Sequence, residues 1–132
     1  MKRVMASGCF DPFHPGHLYH LRAARRMGDE LVVALTKDKY VNKGPGRPVF
    51  PAHERAEVLS ELRCVAEVIL VDSSLDGLIR LRPAVFVKGA EYRGKILPED
   101  RQFCLTHGVK IRFTDEQTYS STALLSHESR RR

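Results

Sequence analysis

Apolar residues recur along this chain in short runs that alternate with stretches of helical period. "KRVMASG" at residues 2–8 reads as a strand. "GHLYHLRAARRMG" follows, with Leu18, Leu21, Ala24 and Met27 at helical spacing, arginines between them and Gly28 as the stop. "ELVVAL" is a buried strand, and "TKDKYVNKGPGRPVF" after it has no period, two glycines, two prolines and basic residues at Lys37, Lys39, Lys43 and Arg47. A loop of that length inside a compact domain is usually functional. "PAHERAEVLSELRCV" opens with proline and places Val58, Leu59, Leu62 and Val65 on one helical face. "EVILVD" (strand), "LDGLIRLR" (helix), "AVFVKG" (strand), a helix over 98–107 and "VKIRF" (strand) continue the alternation.

Five short apolar strands separated by helices predict a doubly wound α/β fold around a five-stranded parallel sheet with right-handed crossovers. Ligands of such sheets bind beyond the carboxyl ends of the strands, where strand order reverses. Chemistry is therefore expected from residues 8–17, 36–50, 72–76, 88–95 and 114–122.

At 132 residues the chain is expected to form one domain over 1–132. No run approaches the ~18 apolar residues of a membrane span, and the amino-terminal segment lacks the apolar core of an export signal. Cys9, Cys64 and Cys104 are odd in number and form no CxxC pair, which argues against a disulfide framework or structural zinc and for a reducing, cytoplasmic setting. The net charge is +6, but Arg130, Arg131 and Arg132 supply three of those charges at the extreme terminus. No aromatic stripe accompanies the rest, so the balance suits small multiply charged anions better than a nucleic acid.

The segment "GCFDPFHPGH" places His14 in the turn after the first strand and His17 in the first turn of the helix. Both imidazoles can face one point above the sheet, beside the unpaired N–H groups of a helix start, a place suited to an anion. Gly8 and Gly16 allow close backbone approach, and Pro12 and Pro15 stiffen the turn. The plainer alternative is that a histidine here is a cap or a surface residue. A metal site would need a third ligand, and neither Cys9, Asp11 nor His20 completes a familiar spacing, so no protein-held metal is expected. His20, His53, His107 and His127 are expected to be ordinary residues.

Lys43 and Arg47 flank Gly44-Pro45-Gly46 and could close over phosphates, or remain solvated loop charges. Arg55 and Arg63 stand eight residues apart on one predicted helix, nearly on one face, where either could reach the site or pair with a carboxylate such as Glu61 or Glu67. After the fourth strand, Lys88, Gly89, Glu91 and Tyr92 offer charge, close approach and a flat face. Ser120, Ser121 and Thr122 open a final helix as a cap or a phosphate cradle.

Residues 8–17 resemble the G-x-F-D-x-x-H-x-G-H signature of the cytidylyltransferase-like nucleotidyltransferase superfamily. "HERAEVLSELRCVAEVI" is similar to that family's second motif, with Ala66 where an acid is usual, and "TYSSTALL" to its closing element. The resemblance covers nearly the whole chain. It implies the Rossmann-like HxGH nucleotidyltransferase fold, and an enzyme that transfers a nucleoside monophosphate from ATP or CTP to a small phosphorylated acceptor with release of pyrophosphate. His14 and His17 would hydrogen-bond α- and β-phosphate oxygens, with Lys43 and Arg63 also at the phosphates. Gly8, Cys9, Phe10, Asp11, Gly16, Lys88, Gly89, Glu91, Tyr92, Ser120, Ser121 and Thr122 would line the nucleotide, Asp11 also anchoring the turn. Arg47 and Arg55 would meet the acceptor phosphate.

Mg2+ would be held mostly by nucleotide phosphates and water, and the resemblance also implies a homodimer. "KGPGRPV" with "VKGAEY" looks like the ADP-heptose type of adenylyltransferase, favouring ATP and a sugar phosphate. Glycerol-3-phosphate cytidylyltransferases are similar too, although this chain lacks their Trp in the fourth-strand loop. A non-catalytic nucleotide-binding module is the alternative of another class.

Overall fold

The computed structural model describes residues 1–115 and 125. Among them, β1 (Arg3–Gly8), α1 (Pro15–Arg25), β2 (Glu30–Thr36), α2 (Ala52–Ser60), β3 (Glu67–Val71), α3 (Ser74–Leu81), β4 (Val85–Lys88), α4 (Pro98–His107) and β5 (Lys110–Phe113) alternate along the chain. The strands form one parallel sheet in the order β3-β2-β1-β4-β5. Strand order reverses between β1 and β4, so the crevice beyond their carboxyl ends is where a ligand is expected.

Central strands covered on both faces read as continuous apolar runs. Leu31 to Leu35 of β2 are at most 1% exposed, as are Val4, Met5 and Ala6 of β1. Alternate side chains feed two cores. Val4, Ala6, Val33, Leu35 and Val87 pack with Leu21, Ala24 and Leu59 of α1 and α2. Met5, Ala34, Val71 and Phe86 pack on the other face with Leu78 and Cys104 of α3 and α4. Gly77 lets α3 lie close on the sheet, since a Cβ there would sit 3.0 Å from both Ala34 Cβ and Met5 Sδ.

Two predicted boundaries shift. α1 ends at Arg25, and Gly28 serves close approach instead of stopping the helix: a Cβ on it would lie 2.7 Å from the Lys2 carbonyl oxygen. α2 ends at Ser60, well short of Val65. Leu62 and Val65 still pack against the core from the turn that follows, so the apolar pattern outlasts the helix. No helix among the described residues is long and apolar enough to cross a membrane.

Candidate functional site

The turn leaving β1 is built by packing and by one buried carboxylate. Phe10 adopts a left-handed backbone (φ 48°), and its ring lies so close to Gly8 that a Cβ on Gly8 would be 3.1 Å from it. The same ring meets His17 edge-on, 5.0 Å between centroids. Asp11 is buried and holds the basic loop to the turn. Its Oδ2 accepts from the Val49 N–H at 2.6 Å and from Arg47 Nε at 3.2 Å, and its Oδ1 from the Phe50 N–H at 2.9 Å. Arg47 Nη2 also donates to the Asp11 carbonyl. Arg55 ties three segments: Nε donates to the Phe50 carbonyl and Nη1 to the Cys9 carbonyl, both at 2.9 Å, and Nη2 to Asp38 Oδ1 at 2.7 Å.

His14 and His17 cap each other. His14 is the N-cap of α1, and its Nδ1 accepts the His17 N–H at 3.3 Å, while His17 Nδ1 accepts the His14 N–H at 3.3 Å. With Nδ1 an acceptor in each ring, the neutral proton sits on Nε2, so both imidazoles are Nε2–H donors. The rings stack with centroids 3.7 Å apart and planes 19° from parallel. Burial, then the neighbouring charges of His14, His20 and Lys43, pulls the His17 pKa down to about 3, and burial also lowers that of His14. The pair is thus uncharged near neutrality and presents hydrogen-bond donors without a formal charge. The plainer alternative holds together with the functional one: Nδ1 caps the helix while Nε2 carries the proton.

Across the strand reversal, Lys88 Nζ donates to the carbonyl and to the hydroxyl of Ser7, each at 3.3 Å, and stands 4.2 Å from the centre of the Tyr92 ring. Burial lowers its pKa, against the opposing influence of Asp100, Cys9 and Glu91. The Glu91 carboxylate folds back over Gly89, 2.5 Å from where a Cβ would stand. Behind this wall the buried Asp100 accepts from the Ser74 hydroxyl through Oδ2, while its Oδ1 has no partner among the described residues. Burial raises the Asp100 pKa.

The structure brings together His14, His17, Phe10 and Gly8, and sets Lys88 against Ser7, the residue before Gly8. Gly16 is buried at the second position of α1 and Cys9 is a free thiol. The Lys43 charge lowers the pKa of both His17 and Lys88.

Other expected residues stand elsewhere or do other work. Asp11, expected both at the nucleotide and as an anchor of the turn, is engaged by the loop's N–H groups and by Arg47. Arg47 and Arg55, expected at the acceptor phosphate, have their guanidinium groups in buried ties to Asp11, Asp38 and backbone carbonyls. Arg63 lies past the end of α2, next to Cys64, which senses Arg22 and Arg25 at the far end of α1. That is the amino edge of the sheet, opposite the histidines. Ser120, Ser121 and Thr122 fall outside the described residues.

His20, expected to be ordinary, is buried with its Nδ1 2.7 Å from Thr114 Oγ1. The signal was its place three residues after His17 on the same helix. Among the described residues, no group of three or more His, Cys, Asp or Glu side chains converges as a metal site.

A cytidylyltransferase-like family model matches residues 5–124. The bifunctional protein HldE of Streptomyces coelicolor is 43% identical over 127 residues, taking in 93% of this chain and 27% of that protein. The same-named protein of Gluconobacter oxydans is 48% identical over 95 residues, 69% of this chain and 20% of that one. The chain thus spans about a quarter of the length of the curated relatives it matches. Among solved structures, a lipopolysaccharide core biosynthesis protein from Thermoplasma volcanium aligns with a TM-score of 0.72 at 29% identity, over 91% of this chain and 99% of that one. Thermotoga maritima TmcAL, bound with alpha-thio ATP, shares the fold at a TM-score of 0.70 and 16% identity, over 98% of this chain and 51% of that one.

Proposed function

The chain belongs to the cytidylyltransferase-like family, and on that premise we propose that it is a nucleotidyltransferase moving an adenylyl group from ATP to the phosphate of a sugar phosphate. An acceptor phosphate oxygen attacks the α-phosphorus; the bond to the β-phosphate oxygen breaks, and pyrophosphate leaves. Negative charge then grows on the α-phosphoryl oxygens and on the leaving group, so the site must supply fixed donors and cations; no nucleophilic side chain is needed.

The observation that carries this reading is the reciprocal His14–His17 cap, which orients two neutral Nε2–H donors at the β1–β4 strand reversal. Donors locked before the substrate arrives cost no reorganisation in the transition state. Lys88 and Lys43 add the positive charge, and Glu91 and Tyr92 are assigned to the ribose and base. Mg2+ is assigned to the substrate: it arrives as the magnesium complex of ATP, since the carboxylate nearest the turn, Asp11, is already consumed by Arg47 and the loop amides. The alpha-thio ATP bound to TmcAL supports ATP as the donor, and the part of the Thermoplasma protein in lipopolysaccharide core biosynthesis supports a sugar phosphate as the acceptor. Three free cysteines support a reducing, cytoplasmic setting. Val58 on α2 and Leu70 on the edge strand β3, 48% and 38% exposed, support a homodimer, which light scattering at micromolar concentration checks.

The test is pyrophosphate release with ATP or CTP against a panel of sugar 1-phosphates, polyol phosphates and glycerol 3-phosphate. ATP with a sugar 1-phosphate is expected to turn over. Turnover with CTP and glycerol 3-phosphate alone would move the chain to cytidylyl transfer, and no release with any pair would make it a binding module.

A further inference from the structure

His20 follows His14 and His17 on α1 in steps of three residues, a spacing that keeps all three on one broad face of the helix. It is 7% exposed. Its Nδ1 is 2.7 Å from the hydroxyl oxygen of Thr114, the residue that follows β5. The Thr114 N–H donates to the Lys88 carbonyl at 3.0 Å, one step beyond the β4–β5 ladder. Lys88 Nζ in turn donates to Ser7 at the end of β1. Consecutive hydrogen bonds therefore join α1 to the exits of β5, β4 and β1, and these are the backbone points from which the walls of the crevice rise.

We propose that His20 is a positioning residue for the nucleotide site: through Thr114 it fixes the exits of β5 and β4, and with them Lys88 and its loop, against the helix that carries His14 and His17. The inference rests on the nucleotidyltransferase reading only in assigning Lys88 and its loop to the nucleotide. Burial and the Lys88 charge hold the His20 pKa down to about 4, with Glu91 opposing, so the ring is neutral and the tie intact near neutral pH. A neutral imidazole is one donor and one acceptor, and a buried ring that loses its hydroxyl partner is left unsatisfied.

Four variants separate positioning from mere packing. His20→Asn puts an amide near the Nδ1 position and can keep the Thr114 contact; His20→Gln puts it near Nε2 and cannot. His20→Phe and Thr114→Val remove the contact from either side, Thr114→Val being the milder change should the phenylalanine disturb folding.

Calorimetric titration with magnesium ATP is expected to show binding about tenfold weaker in His20→Phe, His20→Gln and Thr114→Val, with kcat within about threefold of the parent. His20→Asn recovers most of the loss, and the Phe–Val double variant is no weaker than either single. Without any nucleotide, amide exchange of Thr114 is expected to quicken about tenfold in His20→Phe and Thr114→Val, while the β2 amides keep their protection. Unchanged Thr114 exchange in both variants overturns the inference whatever the protein binds, as does a His20→Asn variant no better than His20→Gln. Parent protein that binds neither ATP nor CTP overturns the functional reading, and with it the assignment to a nucleotide site; the exchange data then judge the tie alone.

Discussion

His14 and His17 each accept the other's backbone N–H through Nδ1, so two reciprocal hydrogen bonds both start α1 and fix which nitrogen of each ring carries a proton. The two roles separate by substitution. His14→Ala removes cap and donor together, and is expected to cost ~0.5–2 kcal/mol of stability as well as activity. His14→Asn keeps a capping acceptor near Nδ1 but has no group at Nε2. Turnover of both variants, and of His17→Asn, should fall by about 10²-fold or more, while chemical denaturation shows the Asn forms close to the parent. Near-normal turnover in the Asn variants would refute the role of the Nε2–H groups.

Acid sensitivity follows from the same helix. His17 and His20 are held neutral in the fold, with pKa values pulled to about 3 and about 4, chiefly by burial. In the unfolded chain each titrates near ~6.5. Between these values the unfolded state binds protons that the native state refuses, so stability rises with pH across the window and is lost as pH falls from about 6.5 toward 4. Each ring contributes up to about 1.4 kcal/mol per pH unit. Urea unfolding at several pH values should show a slope of up to two protons, and His20→Asn should reduce it by one. A flat profile through this range would contradict the buried neutral rings.

Asp11 is expected to be the turn's main structural dependency. Its side chain is fully buried, that of Arg47 is 6% exposed, and two backbone N–H groups also depend on it. Asp11→Ala would take the carboxylate away from a buried guanidinium and from both amides, at about 3–5 kcal/mol. A loss under about 1 kcal/mol in a denaturation series would show that the loop finds other partners.

Gly89→Ala should act on function more than on stability. The new methyl would stand 2.5 Å from a Glu91 oxygen, and the flexible carboxylate can swing aside. The melting temperature should barely move, while ATP affinity falls about as far as in Glu91→Gln, on the order of tenfold, and the double variant falls no further. Additive losses would mean that Gly89 contributes separately.

The alternation of five parallel strands with helices was legible because it depends on local period, and the ligand crevice was placed by the rule that a parallel sheet opens where strand order reverses; the order itself was not, since it depends on pairing between distant strands. The histidine pair was legible because its partners are three residues apart. Where recognition spans the chain, sequence position was silent. Asp11 reads as an anchor of the turn, but the partners it holds lie 36 to 39 residues further on, so the loop it clamps was not legible. His20 meets Thr114 across 94 residues, and alone it reads as one more polar residue on a helix. Arg63 misled for a different reason: Leu62 and Val65 continue the apolar pattern from a turn, which made α2 look long enough to carry Arg63 beside Arg55.

With the strands ordered β3-β2-β1-β4-β5, the first half of the chain forms one side of the sheet and the second half the other, and within the sheet the β1–β4 ladder joins them. The histidine wall comes from the first half and the Lys88 wall from the second. On the proposed function, the histidine donors and the groups assigned to ribose and base therefore lie in separate, contiguous stretches of polypeptide. On that reading, exchanging residues 85–113 for those of another member of the fold is expected to change what the protein selects while the histidine pair stays in place, provided the incoming segment keeps a lysine at position 88 and a strand that matches the seam partners Val4, Met5 and Ala6.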